Sequence, residues 1–115
     1  MQKRFFTLEE ANKTISKLKE TFSNIFDLQK KIKESKLITQ EIFDMLQEVE
    51  IDIEKMKQLG CVVKDAKEGL IDFYHEMEGK AVFLCWKYGE GEVKHWHGLN
   101  EGFQARKPLE KISIF

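Results

Sequence analysis

Apolar residues recur at alternating three- and four-residue steps near the start of the chain, the spacing of one face of an α-helix. Thr7 precedes this stripe and Glu10 stands three residues later, so the two can form a capping box. The pattern predicts a helix from about Leu8 to Lys33. The residues of the stripe are Leu8, Ala11, Ile15, Leu18, Phe22, Ile25 and Ile32.

A second stripe with the same spacing follows a polar break at residues 34–39, where Thr39 can cap a new helix. Gly60 stands where a left-handed glycine commonly ends a helix. Because the connection is short, the two helices are expected to pack antiparallel as a hairpin. The residues of the second stripe are Ile42, Leu46, Val49, Ile53, Met56 and Leu59.

Charge favours the pairing of these two helices. Residues 8–37 contain seven lysines and five acids, a net charge of +2, whereas residues 39–59 contain six acids and two lysines, a net charge of −4. Opposite charges beside a shared apolar seam stabilise the contact between helices. The charged side chains themselves are interpreted as solvated helix surface.

Five apolar residues lie off both stripes, more than one seam between two helices can bury: Phe26, Leu28, Phe43, Met45 and Ile51. Either the C-terminal half of the chain covers some of them, or a second hairpin does so in a four-helix bundle. Because the second helix returns towards the start of the first, the far half of the hairpin stays bare. We therefore expect a homodimer formed through the hairpin.

After Gly60 the pattern changes to short runs of β-branched and aromatic residues separated by glycine turns. A β-branched run at residues 61–63 precedes strands predicted at 69–74, 81–88 and 93–97. The tail is expected to be irregular, with Pro108 stopping any element and residues 112–115 alternating like an edge strand. The predicted fold class is α+β: a long antiparallel helical hairpin followed by a small antiparallel β-meander. It forms a single domain over residues 1–115, with the hairpin at about 7–60 and the β-rich segment at about 61–115.

Composition narrows the classes of function. The 115 residues carry 19 basic and 20 acidic side chains, and this balance argues against a dedicated nucleic-acid or membrane-surface protein. Cys61 and Cys85 form no C-x-x-C motif, which excludes a zinc ribbon and a thioredoxin-like site. No segment is apolar enough for a signal peptide or a membrane span. A cytoplasmic location with reduced thiols follows as the expectation.

His95 and His97 are the sharpest chemical feature, because residues two apart on a strand share a face. Two imidazoles so placed can bind one divalent transition metal with a carboxylate or a third histidine. The alternative is that both are ordinary histidines held by hydrogen bonds. The candidates for a third ligand are Asp72, His75, Glu76, Glu90 and Glu92.

Asp72 lies between two apolar residues of a predicted strand, so its carboxylate must be paired or face a cleft. Arg106 is one of only two arginines in the chain and suits a fixed, two-pronged contact with a carboxylate. A structural pair of Arg106 with an aspartate or glutamate would fix the tail to the sheet. A functional alternative makes Arg106 a clamp on an anionic ligand. Cys85 is interpreted as a buried small residue, and catalysis by its thiolate would require a base such as His97 beside it.

Taken together, several short motifs make the chain resemble the prokaryotic family known as domain of unknown function 2203. The motifs are FTLEEAN at 6–12, GLIDF at 69–73, LCWK at 84–87, GE at 89–90, WH at 96–97, and GF at 102–103 followed by Arg106 and PL at 108–109. The resemblance implies a helical hairpin with a small sheet and a cytoplasmic protein, but no activity. The polar positions of the family pattern correspond here to Asp72, Lys87, Glu90, His97 and Arg106, and Cys85 also matches. His95 departs from the pattern, which weakens a site built on two histidines.

Three hypotheses follow. The first is a small homodimeric protein without established catalysis, whose cluster of Asp72, Glu90, His97 and Arg106 binds a small anionic ligand or holds the tail. The second is a metal-binding protein or metal-dependent enzyme using His95, His97 and a carboxylate, and a divalent transition metal is the one cofactor considered. The third is a coiled-coil scaffold that binds a protein partner and has no site.

Overall fold

The computed structural model describes residues 3–36 and 39–109 of the chain. Two helices come first, and an antiparallel sheet with strand order β1-β2-β3-β4-β5 follows, which confirms the predicted α+β fold of a helical hairpin and a β-meander. The predicted edge strand at 112–115 lies outside the described residues. The elements are α1 (Leu8–Glu34), α2 (Thr39–Gln58), β1 (Val62–Asp65), β2 (Leu70–Met77), β3 (Lys80–Lys87), β4 (His95–Gly98), a 3-10 turn (Phe103–Ala105) and β5 (Lys107–Pro108).

Helix α1 begins at the predicted capping box. The Glu10 backbone N–H donates to the Thr7 hydroxyl, and the Thr7 N–H donates to the Glu10 carboxylate. Both N–H groups would otherwise lack a partner at a helix start, so the box fixes where α1 begins. The apolar stripe that follows is buried from Ala11 to Ile25, whereas Leu8 stays 39% exposed and Ile32 is half-buried.

Helix α2 follows the predicted stripe in part, because Val49 and Met56 are buried in the core. Leu46 was expected at the seam but is 48% exposed, while Met45 packs against the core and Asp52 is buried. Asp52 can lie at the seam because the Asn24 side-chain amide of α1 donates a hydrogen bond to it. A buried carboxylate with a partner is tolerated, so a polar residue can share the inward face of α2.

The end of α2 joins the N-terminal segment to the hairpin. Gly60 has a φ of 100°, and its N–H donates to the Lys57 carbonyl, as expected for a glycine that ends a helix. The Arg4 guanidinium donates to the carbonyl oxygen of Leu59 at 2.9 Å. The same N-terminal segment also contacts the sheet, because the Phe6 backbone N–H donates to the Tyr74 carbonyl of β2.

The sheet turns one face towards the hairpin. Alternate residues of β2 and β3 share this face and are fully buried with the apolar side of α1. Phe22 lies 6.4 Å from Trp86 between ring centroids, and Phe26 packs edge-on against Tyr88 at 5.0 Å. The C-terminal half therefore covers Phe26, one of the residues left over by the stripes. The sheet residues on this face are Ile71, Phe73, Leu84 and Trp86.

The tail is more ordered than predicted. Pro108 was expected to stop any element, but it pairs with His95 in the two-residue strand β5, and Lys107 pairs with Trp96. An edge strand leaves one side of its backbone unpaired, so a proline without an N–H is accommodated there. Leu109 extends the contact by donating its N–H to the Lys94 carbonyl.

Neither helix within residues 3–36 and 39–109 combines the length and hydropathy needed to cross a membrane.

Candidate functional site

The face of the sheet turned away from the hairpin carries a buried polar cluster. Asp72 of β2 is directly opposite Cys85 of β3, and His97 of β4 is opposite the neighbouring Phe83. Strand alternation places Asp72 and Cys85 on the face opposite Ile71 and Trp86. The three polar residues are only 2%, 2% and 1% exposed, respectively.

The segment after β4 covers this cluster. It turns back over the sheet at residues 99–106, and the Gly98 N–H donates to the Glu101 carboxylate at 2.7 Å. That hydrogen bond lowers the pKa of Glu101. Beneath the segment lies a cavity of about 200 Å³, with the buried cluster forming its floor. The lining residues are Lys64, Leu70, Asp72, Cys85, His97, Glu101, Gly102 and Phe103.

Asp72 and His97 share one proton. The Nδ1 atom of His97 is 2.8 Å from the Gly98 carbonyl oxygen, and a carbonyl only accepts, so Nδ1 carries a hydrogen. Nε2 is 3.1 Å from both carboxylate oxygens of Asp72. A contact between a carboxylate and an imidazole nitrogen needs a hydrogen between them. It therefore holds either a neutral carboxyl with a neutral imidazole, or a carboxylate with an imidazolium.

The Asp72 carboxyl group has a raised pKa. Burial raises its pKa, and the neighbouring His97, which acts in the opposite direction, only partly offsets that effect. Its Oδ1 atom takes the hydrogen bond, whereas Oδ2 accepts none from any described residue. The Lys64 ammonium is 4.0 Å from Oδ2, too far for a hydrogen bond. One oxygen of a buried carboxyl group thus remains available for a further ligand.

Cys85 connects two parts of the site. Burial and then the charge of Asp72 raise the pKa of its thiol to about 12, against a smaller opposing effect of Arg106. A thiol with this pKa is protonated at neutral pH and is a poor nucleophile. The hypothesis of a thiolate activated by His97 therefore finds no support in the geometry, because His97 is directed to Asp72.

Glu90 and Arg106 form a two-pronged ion pair beside Cys85. The guanidinium nitrogens of Arg106 are 3.1 and 3.0 Å from the two carboxylate oxygens of Glu90, and the Lys87 N–H also donates to Glu90. Burial acts to raise the pKa of Glu90, but the hydrogen bonds from Arg106 and Lys87 prevail and lower it. The guanidinium also stacks on Phe103, at 4.1 Å from the ring centroid. This geometry is the structural alternative foreseen for Arg106, a pair that fixes the tail to the sheet.

The structure thus brings the four predicted ligand-binding residues together as two pairs, Asp72 with His97 and Glu90 with Arg106. Cys85 interacts with one member of each pair. His95 lies near Glu90 and outside the three-residue donor cluster of Asp72, Cys85 and His97.

The other candidates for a third metal ligand lie elsewhere. His75 has its Nδ1 atom 2.7 Å from the Phe6 carbonyl, and Glu76 and Glu92 are exposed. Lys87, another position of the family pattern, pairs with Glu68 at 3.5 Å. Lys64 was not foreseen, because it lies on β1, whose position beside β2 only the register reveals.

Asp72, Cys85 and His97 together form a set of metal-binding donors. One oxygen, one sulfur and one nitrogen atom from these side chains lie within 4.8 Å of one another. Carboxylate, thiolate and imidazole are the three ligand types that zinc takes in proteins.

A model of the family described as "Uncharacterized conserved protein (DUF2203)" matches residues 4–109. No curated protein matches the chain, and neither does any solved structure.

Proposed function

Because the chain belongs to the DUF2203 family, whose description gives no activity, we propose its function from the site alone: it binds a divalent transition metal at the donor cluster. The observation that carries this proposal is the orientation of His97. Its Nδ1–H donates to the Gly98 carbonyl, which leaves Nε2 directed at Asp72. The Cys85 sulfur completes a set of donor atoms that lie within 4.8 Å of one another. Metal-bound histidines are oriented in this way, with the second ring nitrogen donating to a carbonyl or carboxylate.

The distance between His97 and Asp72 suits coordination of one metal. In a tetrahedral zinc site with bonds of roughly 2.0–2.1 Å, a nitrogen and an oxygen ligand are about 3.3 Å apart. Nε2 of His97 and the Asp72 oxygens are already 3.1 Å apart. A metal would take the place of the proton that these two groups share. The free lone pairs of Asp72 Oδ2 supply a further point of attachment.

The ligand types favour zinc or cobalt over magnesium or calcium. A thiolate and an imidazole are soft or borderline ligands, whereas magnesium and calcium prefer oxygen alone. Three protein ligands leave a fourth position open, and the cavity lies on that side of the donor cluster. We place the protein in the cytoplasm, where reducing conditions would keep the free Cys85 as a thiol.

Cobalt binding tests the proposal. Titration of the metal-free protein with Co²⁺ should give one equivalent of tight binding and an absorption band from charge transfer between a thiolate and cobalt. Cys85→Ser removes the sulfur at almost constant volume and should weaken binding by more than about 100-fold. This exceeds the loss typical of changing a residue that only hydrogen-bonds to a metal ligand. Cys61→Ser is the matched control, because Cys61 is also buried but contacts the Met56 carbonyl at the end of α2.

Proton release gives an independent measurement. Because burial raises the pKa of the Cys85 thiol to about 12, the metal must displace its proton at neutral pH. Affinity should therefore rise by about tenfold per pH unit for each proton released, between about pH 6 and 8. Cobalt uptake without the thiolate band, or equal uptake in Cys85→Ser and the wild type, contradicts the assignment of Cys85.

A second proposal concerns self-association through α2. Phe43 and Leu46 are one helical turn apart and 52% and 48% exposed. They lie in the half of α2 far from β1, more than about 20 Å along the helix axis. A second copy fits this surface because acidic α2 of one chain can lie against basic α1 of the other. The patch is apolar at its centre and charged around it, as in dimer interfaces.

Light scattering over a range of concentrations tests self-association. The wild-type chain is expected to have a dimer mass, and Phe43→Glu should raise the dissociation constant by at least about tenfold, because it places a charge in an apolar contact. Leu99→Glu is the control, since Leu99 is 41% exposed but lies in the segment after β4. A wild-type monomer at every concentration contradicts the proposal.

A further inference from the structure

We propose that the cavity over the donor cluster binds a small organic monoanion, a carboxylate, whose charge faces Lys64. This inference rests on the proposed metal site and names the ligand class that the site takes.

Metal binding leaves one positive charge without a partner. A divalent metal with the carboxylate of Asp72, the thiolate of Cys85 and neutral His97 has a net charge of zero. Farther out, Glu90 neutralises Arg106. Lys64 is different, because its nearest carboxylate is Asp72, whose charge the metal would take.

The remaining charged groups near the cavity already have partners. Glu101 pairs with Lys107 at 3.4 Å, and Lys87 pairs with Glu68 at 3.5 Å. Among the described residues that line the cavity, Lys64 alone is then a cation without a countercharge. One negative charge on a ligand balances it.

Lys64 is positioned to meet a ligand. Its ammonium lies 5.0 Å from the centre of the Phe83 ring, a cation–π contact that holds the side chain over the sheet. The side chain lines the cavity and is 45% exposed, so its ammonium can be reached both from solvent and from a ligand in the cavity.

The cavity limits the size of the ligand and favours an apolar group beside its charge. Its volume of about 200 Å³ is below the usual range for drug-sized ligands, so only a few heavy atoms fit. Leu70 and Phe103 provide apolar walls, which suit a hydrocarbon or aromatic body. A carboxylate supplies one charge and can also take the open metal position through an oxygen. A dianionic phosphate would bring a second charge close to Glu101, without a cation to balance it.

Benzoate binding to the cobalt-loaded protein tests this inference. Benzoate should change the visible cobalt spectrum in a saturable manner, whereas benzamide, which has the same shape without the charge, should bind at least about tenfold more weakly. With the donor cluster saturated by cobalt, Lys64→Met should weaken benzoate binding about tenfold or more. Lys80→Met is the matched control, because Lys80 begins β3 and lies outside the cavity lining, and it should leave benzoate binding unchanged.

The outcomes separate the two proposals. Cobalt uptake without a benzoate effect overturns the ligand class but leaves the metal site standing. Equal binding of benzoate and benzamide, or an equal loss in Lys64→Met and Lys80→Met, also overturns it. Failure of cobalt uptake in the wild-type protein overturns the metal site and this inference together.

Discussion

His97→Ala is expected to lower the free energy of unfolding of the metal-free protein by about 3–5 kcal/mol, because it leaves a buried polar group without its partner and a cavity where the ring was. The substitution leaves the Asp72 carboxyl group buried without its hydrogen-bond partner. It also removes a ring that lies 5.5 Å from Phe83 between centroids. Urea denaturation in the presence of a chelator measures the change.

A double-mutant cycle isolates the contribution of the pair. Asp72→Ala with His97→Ala should cost less than the sum of the single changes by about 1–3 kcal/mol, because neither buried group is then left without the other. His75→Ala is the comparison, since His75 is half-buried and makes one hydrogen bond to the Phe6 carbonyl. It should cost only about 1 kcal/mol. If His97→Ala costs no more than His75→Ala, the pair does not stabilise the sheet as proposed.

Trp86→Ala is expected to lower the free energy of unfolding by a similar amount, about 3–5 kcal/mol. Trp86 is fully buried between the sheet and α1, where its ring packs near Phe22 and Tyr88. The indole N–H donates to the Glu90 carbonyl, so the substitution also removes an anchor of the loop that carries Glu90. Thermal and urea denaturation measure the loss.

Trp96 provides a matched control for that substitution. It is only half-buried, lies towards the sheet edge, and carries the Lys107 ammonium 4.7 Å above its ring. Because folding buries less apolar surface at Trp96 than at Trp86, Trp96→Ala should lower the free energy of unfolding by about half as much. Equal costs at the two positions would mean that the core between α1 and the sheet is not the main source of stability.

The helical hairpin was predictable because its signals are local. The capping box and the apolar stripe of α1 depend on residues three or four apart, and the structure follows both. The burial of Asp52 on α2 was not predictable, because its partner Asn24 lies 28 residues away in the sequence. Periodicity favoured Leu46 at the seam, and no local rule reveals that a buried carboxylate has a partner on another helix.

The sequence indicated which residues form the site better than it indicated which of them contact each other. An acid between two apolar residues of a strand indicated Asp72, and the value of arginine for two-pronged contacts indicated Arg106. The register of the strands decides that Asp72 faces Cys85. Register alone would place His95 beside Cys85, its direct partner across the strands, whereas the contact with Asp72 is made by His97, which belongs to the donor cluster. Register depends on turn geometry and long-range pairing, which a single sequence does not display.

The orienting hydrogen bond of His97 comes from the main chain, at the carbonyl of Gly98. Every amino acid at position 98 would supply the same oxygen atom. A point mutation can therefore remove the imidazole, but no substitution at position 98 can delete the acceptor that fixes its tautomer. In sites where a carboxylate side chain performs this role, one base change suffices to lose it. Here the main chain fixes the ring orientation and tautomer of His97, so side-chain mutations at position 98 leave both in place.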